Sequence, residues 1–214
     1  MYKRLNFQIS RLSDVELRDC IDNRQNYMPD TIEAAMAELQ KRGLALGSAE
    51  MQVISEDIMA LRDNVKLQVG YVGLFSSVYK NNIVADPFAP VLYSRSVING
   101  FTFFMGALFG SIMLAINASN VKNQKGVLLS LLFGVLYTVV QIILIFSFHL
   151  GPPIGLFFSI IAAYCVNYFL WPRIIGNETF YCAKPFWVPL IIAVLLTASL
   201  IYKILFYPDS LHRL

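Results

Sequence analysis

The chain has 214 residues, of which 57% are hydrophobic and only 14% charged, with a formal net charge of +3. So small a positive excess, scattered along the chain, excludes a basic stripe for nucleic acid. Its 3 cysteines lack a C-x-x-C spacing, and with 2 histidines they offer neither a disulfide framework nor a recognisable zinc site.

Met1 to Ser10 carries Lys3 and Arg4 without an apolar run behind them, so it does not read as a cleaved signal peptide. Ser13-Asp14-Val15-Glu16 has the S-x-x-E spacing of a capping box and predicts a short helix with Leu17, Cys20 and Ile21 on one face. Asn23 to Tyr27 reads as its end. Pro29 opens a second helix, since a first-turn proline loses no hydrogen bond, and Asp30 and Glu33 suit its positive start. Ile32, Ala35, Met36 and Leu39 share a face, Lys41 and Arg42 fall in the last turn, and Gly43 terminates the helix. A third helix is predicted from Ser48, with Met51, Ile54, Ile58, Leu61 and Val65 at alternating spacings of three and four, too short a run for a coiled coil. Residues 1–68 therefore read as a small helical domain. The apolar faces around Met36, Leu39, Ile54 and Ile58 need a cover. They are candidate partner-binding residues, although packing against one another within the chain is the favoured reading, because short helices gain most of their stability from packing an apolar face.

Residues 69–95 read as a juxtamembrane, interfacial segment. Val69 to Tyr79 is apolar but too short to cross a bilayer, and Pro87 and Pro90 interrupt any helix beyond it. The composition changes here, because only Glu178 and Asp209 among the acidic residues come after Pro90. Residues 96–207 contain uncharged runs of spanning length, including Gly126 to Pro172, and a hydrocarbon core about 30 Å thick needs about 20 apolar residues per helix. The expectation is four transmembrane helices, at about 97–116, 127–148, 154–171 and 186–206, with a tail at 208–214. Gly151-Pro152-Pro153 separates the middle pair. The expected fold class is all-α: a four-transmembrane-helix bundle with a small N-terminal helical domain.

Gly106-x-x-x-Gly110, and Gly155, Ser159, Ala163 and Asn167 at four-residue intervals, form small stripes that let helices approach. They fit packing inside one bundle or a seam between copies, so a homo-oligomer stays open. Gln141, Tyr164, Asn167 and Thr197 are candidates for hydrogen bonds across the bundle. Trp171, Phe180, Tyr181 and Trp187 flank the last loop as an aromatic belt at headgroup level.

The N-terminal segment with Asp14-Val15-Glu16-Leu17, Asn23-Arg24, Tyr27 and PDTIEAAMAELQKRG over Pro29 to Gly43 resembles a motif of uncharacterised polytopic membrane proteins of Bacteroidetes-type bacteria. Their pattern Asn-Arg-x-x-Tyr, a proline, an alanine-rich helix and Glu-Leu-x-x-Arg-Gly precedes several spanning helices. WPRIIGNETFYCAKPFWVPL, Trp171 to Leu190, is similar to the element before their final helix. The resemblance implies a bacterial inner-membrane protein and no assigned activity.

No catalytic, cofactor-binding or metal-binding residues are expected. The spans carry no ionised group at depth, and His149 sits at a turn without a carboxylate partner. The basic residues flanking four spans divide evenly, with Lys80, Arg95, Lys203 and Arg213 on one side and Lys122, Lys125, Arg173 and Lys184 on the other. A charged N-terminal domain without a signal peptide argues for a cytoplasmic N-terminus, and four crossings would return the C-terminus there. Asn117-Ala118-Ser119 and Asn177-Glu178-Thr179 match the glycosylation triplet, by chance if the bacterial resemblance holds. The expected function is a non-enzymatic membrane scaffold whose helical domain meets a protein partner, with the lipid bilayer as its other partner, and no nucleic acid. The alternative is a small permease or transport accessory subunit for a neutral or lipid-like solute, with Gln141, Tyr164 and Asn167 lining a polar path. A third reading is an interfacial lipid enzyme using His149.

Overall fold

A computed structural model describes residues 2–44, 46–66, 82–149 and 151–206. The expected interfacial run at 69–79 and the tail at 208–214 lie outside the described residues. The chain is 75% helical and divides into two compact units, Met1–Ala183 and Lys184–Leu214.

The N-terminal helices arise from local chemistry. Helix α2 (Asp14–Asp22) opens on the capping box: the Ser13 N–H donates to Glu16 Oε2 at 2.7 Å while the Glu16 N–H donates to Ser13 Oγ at 3.3 Å. Helix α3 (Pro29–Lys41) ends on Gly43, whose φ of 80° lets Leu44 N donate to Leu39 O and Gly43 N to Gln40 O, a Schellman closure. Helix α4 (Ser48–Lys66) comes next, and α1 (Tyr2–Ile9) precedes them, although its polar sequence carries no helix signal. Ile9, Leu17, Ile21, Ile32, Leu39 and Ile54 form the interior of this group. Arg42 ties its rim, donating to Asp14, Glu38 and the carbonyls of Ser10 and Leu12.

The expected crossing at 97–116 is not one helix. It is two, α5 (Arg95–Met105) and α6 (Ala107–Asn120), broken at Gly106 with φ 88° and ψ 173°, a region that only glycine enters easily. The two halves fold back on each other. Gly110 lies so close to Thr102 that no Cβ fits between them, whereas residues eight apart in one straight helix are about 12 Å apart. At the open end, the Asn117 side chain pairs with the backbone of Tyr93.

Helix α7 (Gln124–Ser147) and the return helix α8 (Pro152–Cys165) make the second hairpin. Helix α8 continues through a π-turn at Val166–Leu170 into α9 (Trp171–Ile174). Pro172 has no N–H to offer and its ring crowds the preceding turn, so a widened turn there has a local cause. Gln124–Ser147 and Ile154–Ile174 are long and apolar enough to cross a membrane. They are two such helices among the described residues where four were expected. The second unit contains α10 (Trp187–Phe206), whose apolar stretch Trp187–Ser199 is shorter.

Two short parallel strands, β1 (Val91–Leu92) and β2 (Cys182–Ala183), pair Val91 with Cys182 and Leu92 with Ala183. A separate parallel bridge joins Ile83 to Tyr181. The extended segment 82–94 and the loop after α9 are thereby joined, and Leu92, Ile98, Leu114, Val166, Trp171 and Tyr181 form a second core beneath them.

Gly106→Ala should lower stability by about 1–3 kcal/mol, because alanine must adopt the glycine-only conformation or abandon the break. Gly155→Ala, where nothing lies within 4 Å of the added Cβ, should not. Thermal unfolding of both variants in detergent checks the contrast.

Candidate functional site

The densest polar chemistry lies where the N-terminal helices, the segment 82–94 and the open ends of the α5–α6 and α7–α9 hairpins meet. Asp86 is wholly buried. Its Oδ2 accepts from the Thr31 hydroxyl at 2.6 Å and from the Met28 N–H at 3.0 Å, and its Oδ1 accepts from the Phe88 N–H at 2.8 Å. Met28 is the N-cap of α3 and has no side-chain oxygen to cap it. A carboxylate from 58 residues further along instead accepts from the N–H of Met28 itself and from the Thr31 hydroxyl, at a helix start where the dipole favours negative charge. The Ala85 N–H donates to Asn26 O, and Phe88 packs on the N-terminal core. The helical group is thus locked to the segment that leads into α5.

Arg95 is the first residue of α5, a position where the dipole disfavours a cation. It is held there by acceptors. Its guanidinium donates to the side-chain and backbone oxygens of Asn167 in the π-turn and, at 3.2 Å, to Asn177 Oδ1, and it lies 5.9 Å from the Trp171 ring centroid. Asparagines supply most remaining ties. Asn82 donates to the carbonyls of Asn177 and Thr179, and Asn120 to Val91 O. Asn123 caps both neighbours, accepting from Gly126 N and donating to Ile174 O. Burial pushes the Tyr181 phenol up to about 12, opposed in part by nearby Arg95. Burial also raises the Cys20 and Cys182 thiols, which keeps them protonated rather than nucleophilic. Asp86 and Arg95 thus tie distant segments together, and the Cys182 thiol donates to the Asp86 carbonyl at 3.0 Å.

The expected partner-binding residues lie elsewhere and face inward. Leu39, Ile54 and Ile58 are 3%, 2% and 5% exposed, and Met36 is partly buried against the same core. Their apolar faces cover one another, so the partner-facing assignment of these four is corrected to interior packing. The outer surface of this group instead carries a groove of about 420 Å³ between α1 and α3, lined by Phe7, Ala34, Ala37, Glu38 and Lys41 among others. Phe7 is 63% exposed.

The helix-packing residues are divided. Gly110 makes the close crossing with Thr102, Ala163 is buried and Ser159 half-buried, while Gly155 faces open space and Gly106 is the break itself. A second close interhelical approach falls outside those stripes. Gly126, Ser130 and Gly134 are the buried residues of α7, and a Cβ at Gly134 would come within 2.7 Å of Ser111 on α6. Their four-residue spacing is a readable signal for it.

Tyr164 is exposed and stacks on Tyr168, Asn167 is buried on Arg95, and Gln141 is half-buried on another helix, so these three do not line one path. Thr197 bonds back to Ala193 O in its own helix. His149 is exposed, at φ 48° just beyond α7, the place of a helix-terminating residue. Of the expected aromatic belt, Trp171 and Tyr181 are buried core residues, and Trp187 is 62% exposed. Both glycosylation-type asparagines, Asn117 and Asn177, have their carboxamides engaged.

No protein-family model matches the chain, and no curated protein or solved structure proves similar to it.

Asp86→Ala leaves the buried Thr31 hydroxyl and the half-buried Met28 N–H without their acceptor, and should cost about 3 kcal/mol. Asp86→Asn keeps one acceptor oxygen and should cost less. Protease protection of the α2–α4 region at rising denaturant reads the difference.

Proposed function

We propose that this is an integral membrane scaffold protein without catalytic activity, which presents its N-terminal helical group to a protein partner at one face of a bilayer. The observation that carries the membrane assignment is α7. Its most apolar window has a mean hydropathy of 2.5 and is only 11% buried. A soluble protein hides such a helix in its core, because each exposed leucine or isoleucine forfeits about 1.5–3 kcal/mol of burial. Here Leu128, Leu132, Leu136, Val140, Ile143 and Phe146 are each about half exposed or more. Lipid satisfies that surface and water does not. Helix α8 returns beside it with Leu156 and Phe157 equally open, and α10 is the candidate for a further crossing.

The scaffold assignment rests on what the polar groups do. The charged residues of the junction are engaged in fixing the helical group onto the hairpins, which is the behaviour of a rigid mount. A cytoplasmic location for this group fits its charge density, with Arg18, Arg24, Arg42 and Arg62 all in ion pairs on its surface. The α1–α3 groove is the place for a partner, since its apolar floor is rimmed by Phe7, Glu38 and Lys41 and the face around Leu39 and Ile54 is interior. An amphipathic helix with one large apolar anchor fits such a groove.

A photo-cross-linking residue at position 7 should yield a discrete protein adduct in native membranes, and Ala37→Asp should abolish it while the protein stays membrane-inserted. An adduct unchanged by Ala37→Asp, or none at all, would contradict the scaffold reading.

A further inference from the structure

Helices α5 and α6 have 11 and 14 residues, so they rise only about 16 and 21 Å, well short of a bilayer core of about 30 Å. The 24 residues of α7 rise about 36 Å. Both ends of the α5–α6 pair lie at one level, because Asn117 bonds Tyr93 and Asn120 bonds Val91. The α7–α9 ends share that level through Asn123 and Ile174. The tip at Gly106 therefore reaches about half-way along the longer hairpin.

Burial shows the same division. The buried residues of α7 end at Gly134, and α8 becomes buried only from Ala162 onward. The far halves of both helices meet each other, as where the Tyr137 hydroxyl donates to Phe158 O, and present apolar side chains outward. Among the described residues of Met1–Ala183, four helices thus fill one half of the depth and two fill the other. Each helix is about 10 Å across.

Taking the membrane assignment above as given, we propose that α5–α6 is a re-entrant hairpin confined to one leaflet, and that the resulting wedge makes the protein favour membranes curved convexly toward its N-terminal helical group. Non-helical backbone at Gly106 is tolerable at membrane depth because its polar groups are satisfied within the chain, its N–H donating to Thr102 O and its carbonyl accepting from the Gly110 N–H. Charge assigns the leaflet. With the pair returning, Arg95, Lys122, Lys125 and Arg173 all lie at the open end, and the turn between α7 and α8 has neither lysine nor arginine. The even split expected for four crossings gives way to an excess at the open end, which the positive-inside rule places in the cytoplasm. The wide leaflet is then the cytoplasmic one.

Two measurements test this on the full chain. Val91→Cys and Lys122→Cys should both react with an impermeant maleimide from the face that carries the N-terminal group, above the wild-type background, and His149→Cys only from the other face. Labelling of positions 91 and 122 from opposite faces overturns the re-entrant hairpin but leaves the membrane assignment standing. Release of the protein by alkaline carbonate would remove that assignment instead. In tubes pulled from giant phosphatidylcholine–phosphatidylglycerol vesicles, molecules whose N-terminal group is labelled from outside should be enriched relative to a lipid dye. Equal density in tube and vesicle overturns the wedge. So does an efficient disulfide between copies through Ile143→Cys, which would show that a second chain, rather than lipid, fills the far leaflet.

Discussion

The carboxamide of Asn117 donates to the Tyr93 carbonyl and accepts from the Tyr93 N–H, each at 2.8 Å. Both residues are buried, so this pair satisfies four polar groups that would otherwise be stranded in an apolar interior at about 1–3 kcal/mol each. Its geometric consequence is larger than its energy. It requires the chain between Tyr93 and Asn117 to leave one level and return to it, which one straight helix cannot do. The break at Gly106 and the contact of Gly110 with Thr102 are how the sequence meets that requirement. The neighbouring Arg95 then falls beside the π-turn of α8, and the segment before it carries Asp86 to the start of α3.

Asparagine is the recurring material of this end of the molecule. Asn82, Asn117, Asn120, Asn123, Asn167 and Asn177 all bond to backbone or to Arg95. A carboxamide can donate and accept at once, and it carries no charge to desolvate, which suits a boundary between a solvated helical group and an apolar hairpin. At the other end the helices offer mainly apolar side chains. Burial within the protein falls away there because, in the membrane reading, lipid supplies the contacts.

Much of the N-terminal group is legible in the sequence because its signals are local. The Ser13–Glu16 box, Pro29 and Gly43 each act within four or five residues, and they set the ends of α2 and α3. The candidate partner residues fail for a different reason: periodicity identifies an apolar face but not what covers it, and Leu39, Ile54 and Ile58 cover one another. Gly106 and Gly110 read as one packing stripe because G-x-x-x-G spacing describes a straight helix equally well, and no local feature betrays a φ of 88°. Asp86 with Thr31 and Arg95 with Asn167 join residues 55 and 72 apart, beyond the reach of any pattern within a window. Trp171 and Tyr181 read as headgroup residues because aromatic rings next to apolar runs usually sit there. Their burial depends on the β1–β2 register, which two-residue strands do not announce.

The membrane reading depends on lipid covering the outward face of α7. Nitroxides placed at Leu128, Leu132, Leu136, Val139 and Ile143 in the reconstituted protein measure that directly, through relaxation by oxygen against relaxation by a water-soluble nickel complex. Oxygen should dominate, with its advantage greatest near Leu136 and declining toward both ends of the helix. Dominance of the nickel complex along the whole face would show that the helix stands in water, and would contradict the membrane assignment.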